Sequence, residues 1–166
     1  MLIPLQNKHL DMILSWRNQD EVRQYSFTDH IITRQEHDQW WERVSCDASR
    51  QWLLFCPDNK PSGVVNFYDI RPAEEAFWGF YLADTLEDYE KLKLWFLLEK
   101  TAIDYAGNVL SLKKLKCELF ADNKAALFMH KRSGFQKIDT WQHEKGDVVV
   151  MQRVLNNSKD GSGNGK

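Results

Sequence analysis

The hydrophobic and polar residues of this chain follow two different periods, and the changes of period divide it into elements. Alternation with period two, or a short apolar run, is typical of strands. Apolar residues recurring every three or four positions are typical of helices. The pattern predicts strands at residues 2–5, 51–56, 63–70, 76–82, 114–120, 135–142 and 147–155. It predicts helices at residues 8–18, from Arg34 onward, and at residues 88–110 and 124–132.

Local signals fix several of the helix ends. Thr33 and Glu36 have the spacing of a capping box, in which each side chain satisfies a free backbone donor, so the second helix is expected to begin at Arg34. Asn123 has the chemistry of an N-cap residue. Gly134 can adopt the left-handed conformation that ends a helix, so the last helix is expected to stop there.

The order of these elements predicts the class of fold. It is strand, two helices, three strands, one long helix, strand, helix and two strands, which indicates a mixed α/β sheet with helices on both faces. Residues 76–82 are apolar throughout, so this strand is expected at the centre of the sheet with both faces covered. Gly79 within it indicates that a backbone, a side chain or a ligand approaches closely.

Composition limits the classes of partner. The 166 residues suit one domain, predicted at residues 1–155 and followed by a disordered polar tail at residues 156–166. Lys and Arg total 22 against 24 Asp and Glu, a formal charge of −2 that argues against nucleic acid and anionic membranes as partners. No segment reaches the roughly 20 apolar residues that cross a bilayer. The sequence therefore predicts a cytoplasmic protein.

Cysteine and aromatic residues add two expectations. Cys46, Cys56 and Cys117 lack C-x-x-C spacing and lie in or beside apolar stretches, which predicts buried thiols in a reducing compartment and no metal site. Seven Trp in a chain that is 13% aromatic exceed the needs of a core. Such side chains line ligand clefts, and they also leave surface for a homodimer contact.

One strand and helix unit has a distinctive spacing. Asn123 begins the helix, Ala126 and His130 follow on it, and Gly134-Phe135 ends it. This spacing resembles the C-terminal motif of the GNAT (Gcn5-related) N-acetyltransferases, in which an Asn-initiated helix carries a Tyr or His one turn before Gly-Phe. The order of strands and helices is also similar to that of the family.

Further motifs in the same order narrow the resemblance. They are Trp-Arg-Asn at residues 16–18, Glu36-His37, the strand WGFYL at residues 78–82, Asp-Tyr-Ala at residues 104–106 and Lys114-Leu115. Together they resemble the nucleotide-sugar N-acetyltransferases of pseudaminic acid synthesis. The resemblance implies a GNAT-like, mostly antiparallel central sheet with helices on both faces. It also implies that acetyl-CoA, without a metal, acetylates the 4-amino group of UDP-4-amino-4,6-dideoxy-N-acetyl-β-L-altrosamine.

The resemblance implies a set of contacts to acetyl-CoA. The backbone of the central strand would bind the pantetheine arm at Gly79, Phe80, Tyr81 and Leu82, and Asn123 would help to hold the cofactor. Residues 84–93 stand where the family places a glycine-rich phosphate loop, but they contain no glycine. They carry four acids, namely Asp84, Glu87, Asp88 and Glu90. Lys91 and Lys93 are expected to supply positive charge in place of the missing backbone approach.

The resemblance also implies roles in proton transfer. His130 stands where the family usually has the Tyr that protonates the leaving thiolate, and a histidine can supply that proton near neutral pH. The amine must lose its own proton first. His37, Asp69 and Glu75 are the candidates for the group that accepts it, directly or through water, and the sequence does not choose among them.

Acceptor contacts are implied for several residues of the N-terminal half. Arg17, beside Asn18, offers a charged fork for a phosphate. The aromatic residues Trp40, Trp41, Tyr68 and Trp78 are candidates to line the acceptor site, by stacking on uracil in the case of the first three. Trp40 and Trp41 suit a role in the core equally well.

Three functions follow from the sequence. The first is an N-acetyltransferase for a small-molecule amine, a UDP-linked amino sugar. The second is a GNAT enzyme with another amine acceptor, such as a protein N-terminus. The third is a non-catalytic GNAT-fold binding module, which the glycine-free loop at residues 84–93 favours and which His130, Asn123 and Gly79 oppose.

Overall fold

The computed structural model describes residues 1–84 and 87–155. Thr85, Leu86 and residues 156–166, which include the predicted tail, lie outside the described residues. The strands are β1 (Leu2–Pro4), β2 (Gln51–Phe55), β3 (Gly63–Arg71), β4 (Glu75–Leu82), β5 (Lys114–Phe120), β6 (Gln136–His143) and β7 (Gly146–Val154). The helices are α1 (Leu10–Arg17), α2 (Asp20–Gln24), α3 (Arg34–Val44), α4 (Asp88–Asn108) and α5 (Lys124–Arg132).

All seven strands form one sheet in the order β1-β2-β3-β4-β5-β7-β6. The neighbours β4 and β5 run parallel, and the other neighbouring strands pair antiparallel. The mixed, mostly antiparallel sheet predicted from the sequence is therefore confirmed. The apolar strand β4 is fourth of seven, the central position that its composition predicted.

The pairing of β4 with β5 is incomplete, and this shapes the site described below. The two strands pair only where Glu75–Phe77 meets Lys114–Lys116. Beyond that point β4 stays paired with β3 as far as Leu82, and β5 stays paired with β7 as far as Phe120. The facing edges of β4 and β5 therefore separate and leave unpaired backbone groups between them.

Helices cover both faces of the sheet, as predicted. On one face a large cluster packs α4 and α5 against the central strands, with Phe55, Phe67 and Trp78 almost fully buried. On the other face a smaller cluster joins Ile13 and Trp16 of α1 to β2, β3 and the residue after β4. Among the described residues, no helix is both long enough and apolar enough to cross a membrane.

Most predicted boundaries hold within two residues. The structure differs from the prediction at one additional helix, α2, and in the burial of one cysteine, Cys46. Residues 20–24, predicted as loop, form the short helix α2, which the sequence does not reveal because it has no apolar period. The side-chain amide of Gln19 holds the start of this helix by donating to the carbonyls of Trp16 (2.8 Å) and Leu82 (2.9 Å). Cys46, predicted buried, is exposed after α3, whereas Cys56 and Cys117 are buried.

Both predicted helix caps are present. The Thr33 side chain accepts from the Glu36 amide, and the Glu36 carboxylate accepts from the Thr33 amide, at the start of α3. Asn123 Oδ1 accepts from the Ala126 amide (3.1 Å) at the start of α5. The second cap fixes the helix that carries His130.

We expect Asn123→Ala to lower the free energy of unfolding by about 1 kcal/mol, because it leaves the first donors of α5 without their acceptor. Urea unfolding of the wild type and the variant measures this difference. Asn123→Ser, which keeps a capping oxygen, is the matched control and should lose much less. Equal losses in both variants would mean that the cap contributes nothing at this position.

Candidate active site

A cavity of about 390 Å³ lies between the separated edges of β4 and β5. We call it the strand cavity. Its walls come from residues 78–83 on and after β4, from residues 117–119 on β5, and from side chains of α2, α4 and α5. The α-helical contributors include Glu21, Lys91, Trp95, Ala126 and His130.

The strand cavity has an open strand edge along one wall. The edge of β4 that faces it has backbone groups that no strand pairs, and an extended chain can bind such an edge by main-chain hydrogen bonds. Gly79, Phe80, Tyr81 and Leu82, for which the family resemblance implies cofactor contacts, all line it. Asn123 lines it too, although its side-chain oxygen caps α5.

The two predicted lysines differ in position. Lys91 lines the strand cavity and its Nζ lies 3.1 Å from the Glu21 carboxylate, so this ion pair joins α4 to α2. Lys93 is exposed and does not line the cavity. The glycine-free stretch begins with Asp84, whose carboxylate accepts from the Ser15 hydroxyl (2.9 Å).

His130 reaches the strand cavity from α5 and is 5% exposed. Aromatic rings of Trp78, Phe80 and Phe135 pack around its imidazole at centroid distances of 5.3–6.5 Å. Its Nδ1 lies 2.6 Å from Oε1 of Glu99, a residue of α4 that is fully buried. The contact uses Nδ1, so Nε2 is the ring nitrogen available to the cavity.

Sequence reasoning missed Glu99, although a signal was present. Its neighbours at helical spacing, Trp95, Ala102, Ile103 and Ala106, face the core or pack against it. A carboxylate on the apolar face of a helix requires a buried partner. The spacing alone could therefore have marked Glu99 as paired with a residue across the core.

Glu118 is a second residue that the sequence did not single out. It lines the strand cavity from β5, and its carboxylate accepts from the Tyr68 hydroxyl (3.2 Å) and from Trp141 Nε1 (3.0 Å). Burial, followed by the charge of Glu118, raises the pKa of Tyr68, so the phenol stays protonated and donates. In the sequence, Glu118 has the period of a solvent-facing strand residue, and only the separation of β4 and β5 brings it to the cavity.

A second cavity of about 400 Å³ lies beside α1 and α3, and we call it the helix cavity. Arg17, His37, Trp40, Trp52 and Tyr81 are among its lining residues. Tyr81 lines both cavities, so the two share a wall. This cavity brings together three residues to which the sequence analysis gave separate roles. Arg17 is the candidate phosphate contact, His37 the candidate base and Trp40 the candidate aromatic contact.

Three buried nitrogens of residues that line the helix cavity, Arg17 Nη1, His37 Nδ1 and Trp52 Nε1, lack hydrogen-bond partners among the described residues. Arg17 donates through Nη2 to the Thr28 carbonyl (2.8 Å), but its buried Nη1 has no hydrogen-bond partner within the described part of the chain. The buried Nδ1 of His37 also has none there. Burial lowers the pKa of both side chains. Three unsatisfied nitrogens around one cavity indicate a ligand that supplies acceptor oxygens.

Some predicted acceptor contacts lie elsewhere. The Asn18 amide bonds both the N–H and the carbonyl of Ile32 (2.8 and 2.9 Å), so it holds the loop before α3 and lines neither cavity. Tyr68 stacks on Phe77 and also lies outside both cavities. Trp78 lines the strand cavity but is 1% exposed, with its ring in the core.

The predicted aromatic contact at Trp40 is in the helix cavity. Its ring stacks on His37 at 4.9 Å and meets Trp52 edge-on at 4.7 Å. Trp41, the alternative residue, instead donates through Nε1 to the Asn7 side chain (2.6 Å). Trp40 is therefore the aromatic residue of this pair that can contact a ligand there.

The three candidate bases, His37, Glu75 and Asp69, lie in different parts of the structure. His37 lies in the helix cavity. Glu75 lines neither cavity, because it sits where β4 and β5 are still paired and its carboxylate binds Arg71 and Lys116 (2.8 Å from Lys116 Nζ). Asp69 is exposed at an irregularity of β3 and lines neither cavity. The geometry gives no support to Glu75 or Asp69 as the base and brings Glu118 forward in their place.

Comparison with known proteins adds to this geometry. The profile of the Acetyltransferase (GNAT) domain family matches residues 1–136. The acetyltransferase PseH of Campylobacter jejuni strain 81-176 is 27% identical over 135 residues, which are 81% of this chain and 82% of that protein.

Two solved structures illustrate the similarity of fold. Spermidine N-acetyltransferase from Vibrio cholerae, in complex with CoA and spermine, has a TM-score of 0.82 at 17% identity. The alignment covers 95% of this chain and 96% of the spermidine N-acetyltransferase chain. C. jejuni PseH in complex with acetyl coenzyme A has a TM-score of 0.70 at 19% identity, covering 94% of this chain and 100% of its own.

Proposed function

The chain belongs to the GNAT acetyltransferase family, and from this premise we propose that it transfers an acetyl group from acetyl-CoA to the amine of a nucleotide-linked sugar. Acetyl-CoA is the acetyl donor of this family. The 27% identical PseH relative, together with the motifs at residues 16–18 and Glu36-His37, supports the sugar-nucleotide class of acceptor.

The unsatisfied nitrogens of the helix cavity are the observation that carries this proposal. Arg17 Nη1 and His37 Nδ1 have no partner among the described residues, and the diphosphate of a UDP-sugar supplies oxygens for both. Trp40 stands beside His37 in the same cavity and offers a ring for the uracil. A polyamine acceptor would instead bring positive charge to a buried guanidinium, which is unfavourable.

The shared wall at Tyr81 relates the two substrates. Acetyl-CoA lies in the strand cavity with its arm along β4, and the nucleotide lies in the helix cavity on the other side of Tyr81. The sugar then extends from one cavity toward the other, so its amine comes close to the acetyl group. Burial raises the pKa of Tyr81, so its hydroxyl remains neutral between the two ligands.

Two side chains of the strand cavity handle the protons. As the C–N bond forms and the C–S bond breaks, the amine gives up a proton and the sulfur gains one. Glu118 accepts the first, directly or through a water molecule, and His130 Nε2 gives the second. The two residues approach the cavity from different elements, Glu118 from β5 and His130 from α5, which suits one proton leaving and another entering.

An acetylation assay with an acceptor panel tests the proposal. The purified protein is incubated with acetyl-CoA and a UDP-4-amino-4,6-dideoxy sugar, the same amino sugar without the nucleotide, spermidine, or a peptide with a free N-terminus, and products are identified by mass spectrometry. We expect acetylation of the UDP-sugar alone at low substrate concentration. Preference for the peptide or for spermidine would replace the sugar-nucleotide proposal by another amine acceptor.

We expect Arg17→Gln to raise the KM for the UDP-sugar by about 10- to 100-fold, the equivalent of one charged hydrogen bond, with the KM for acetyl-CoA unchanged. UDP should compete with the sugar nucleotide in the wild type and compete much less in the variant. Steady-state kinetics with each substrate varied in turn measures both effects.

The matched control for Arg17 is Arg34→Gln. Arg34 is exposed, forms its ion pairs with Asp11 and Asp38 and lines neither cavity, so this variant should behave like the wild type. If Arg17→Gln leaves the KM for the UDP-sugar and inhibition by UDP unchanged, the diphosphate does not bind in the helix cavity.

A further inference from the structure

Glu99 is a buried carboxylate whose one hydrogen-bond partner among the described residues is His130. It is fully buried in the middle of α4, its Oε1 lies 2.6 Å from His130 Nδ1, and its Oε2 has no partner among residues 1–84 and 87–155. Burying a carboxylate is unfavourable unless it is paired, and here the pairing rests on a single imidazole. The contact with His130 is thus what the structure gains from an acid at this position.

Aromatic rings and a buried thiol surround this pair. The rings of Trp78, Phe80 and Phe135 face the imidazole from β4 and from the segment after α5. On β5, burial and then the charges of Glu99 and Glu118 raise the pKa of the Cys117 thiol, and Cys117 and Glu118 line the same cavity as His130. The two cations that follow His130 on α5, Lys131 and Arg132, are exposed.

The contact at Nδ1 determines what the other ring nitrogen can do. A pair that holds two protons consists either of a carboxylate and an imidazolium or of a carboxylic acid and a neutral imidazole. In both forms Nε2 carries a hydrogen, so both present a donor toward the strand cavity. When Nε2 gives its proton away, the remaining proton lies between Nδ1 and Glu99, and the pair has one negative charge.

We infer that Glu99 is a positioning residue, which holds the His130 ring by Nδ1 and keeps a proton on Nε2 for the sulfur that leaves in the proposed acetyl transfer. This inference rests on the proposed function and adds a residue to it. The proton passes from Nε2 to the thiolate sulfur as the C–S bond breaks, and a proton from solvent restores the pair after the products leave.

Nitrogen-15 NMR of the histidine rings tests the geometry without any substrate. The protein is labelled at its five histidines, and the His130 signals are assigned by their absence in His130→Gln. We expect a proton on Nε2 of His130 in the wild type, and an Nδ1 chemical shift that changes in Glu99→Gln because the carboxylate partner has gone. An Nδ1 shift that Glu99→Gln leaves unchanged, or a ring whose Nε2 carries no proton anywhere between pH 6 and pH 9, overturns the inference even if the enzyme acetylates every predicted acceptor.

Kinetics tests the role. We expect Glu99→Gln to lower kcat by about 10- to 100-fold, by analogy with carboxylates that orient metal-binding histidines. The KM for acetyl-CoA should change little, because Glu99 acts through His130 and not on the donor. Glu99→Asp, which keeps a carboxylate, should lose less of kcat and serves as the second variant if Glu99→Gln folds poorly.

A comparison in a tyrosine background separates positioning from a structural effect. In His130→Tyr the proton donor is a phenol that needs no carboxylate, so adding Glu99→Gln should lower kcat no further. The exposed Glu42→Gln on α3 is the control for loss of a carboxylate. If Glu99→Gln lowers kcat equally in both backgrounds, Glu99 is only a structural residue. An absence of any wild-type acetylation would instead reject the proposed function and leave the NMR result to decide the geometry.

Discussion

Replacing His130 with Gln is expected to lower kcat by about 10²- to 10⁴-fold, the usual contribution of a positioned acid. The glutamine amide can still contact Glu99, so the buried carboxylate keeps a partner and the fold should persist. The amide cannot give up a proton, and the thiolate must then leave without one or take it from water. This loss corresponds to about 3 to 5 kcal/mol in the barrier.

The measurement is single-turnover and steady-state acetyl transfer with the UDP-amino sugar. Isothermal titration with CoA runs in parallel, because the proposed role predicts that binding is retained. His9→Gln is the matched control, since His9 precedes α1 and lines neither cavity. Retention of the wild-type kcat in His130→Gln would remove His130 from the chemistry. Loss of CoA binding would mean that it shapes the cavity instead.

The fold was largely readable from the sequence because local signals agreed with the global pattern. Helix α5 has the predicted bounds, since the Asn123 cap and Gly134 mark its two ends. The apolar run of β4 predicted its central place, which the structure confirms. The profile match confirms the family that the motifs resemble and the N-acetyltransferase activity that this resemblance implied.

The site was less readable, because strand separation and cross-core contacts leave little trace in a linear pattern. Glu118 has the same period as the exposed side of any strand. Asn18 and Tyr68 carry suitable chemistry for an acceptor, but their polar groups are satisfied by Ile32 and Glu118. Glu75 was a reasonable base by type, yet it lies where β4 and β5 remain paired. Composition supplies candidates, and only the fold decides which of them face a cavity.

The glycine-free loop illustrates how a departure from a family pattern can be misleading. The absence of glycine at residues 84–93 favoured a binding module without catalysis. The family match and the open edge of β4 favour an enzyme, because the arm of the donor can bind along the strand whatever the phosphate loop contains. Lys91, already close to Glu21 at the cavity, is the described cation best placed to meet a phosphate there.

Glu118→Gln is the second variant with a large expected effect. We expect kcat/KM for the UDP-amino sugar to fall by about 10²- to 10⁴-fold at neutral pH, because the amide cannot accept the proton of the amine. The loss should shrink as the pH rises, since a growing fraction of the amine is then already deprotonated. The pH dependence of kcat/KM between pH 6 and pH 9.5, compared between wild type and variant, measures both effects.

The geometry of Glu118 also predicts what should stay the same. Titration with acetyl-CoA should give the wild-type affinity, because the proposed role of the carboxylate is to contact the amine and not the arm of the donor. Tyr68→Phe removes one of its two hydrogen-bond donors and leaves the carboxylate, so it should cost far less than Glu118→Gln. Glu42→Gln controls for the loss of an exposed carboxylate. If Glu118→Gln keeps the wild-type kcat/KM at neutral pH, the proton leaves by another route, and His37 in the helix cavity becomes the residue to replace next.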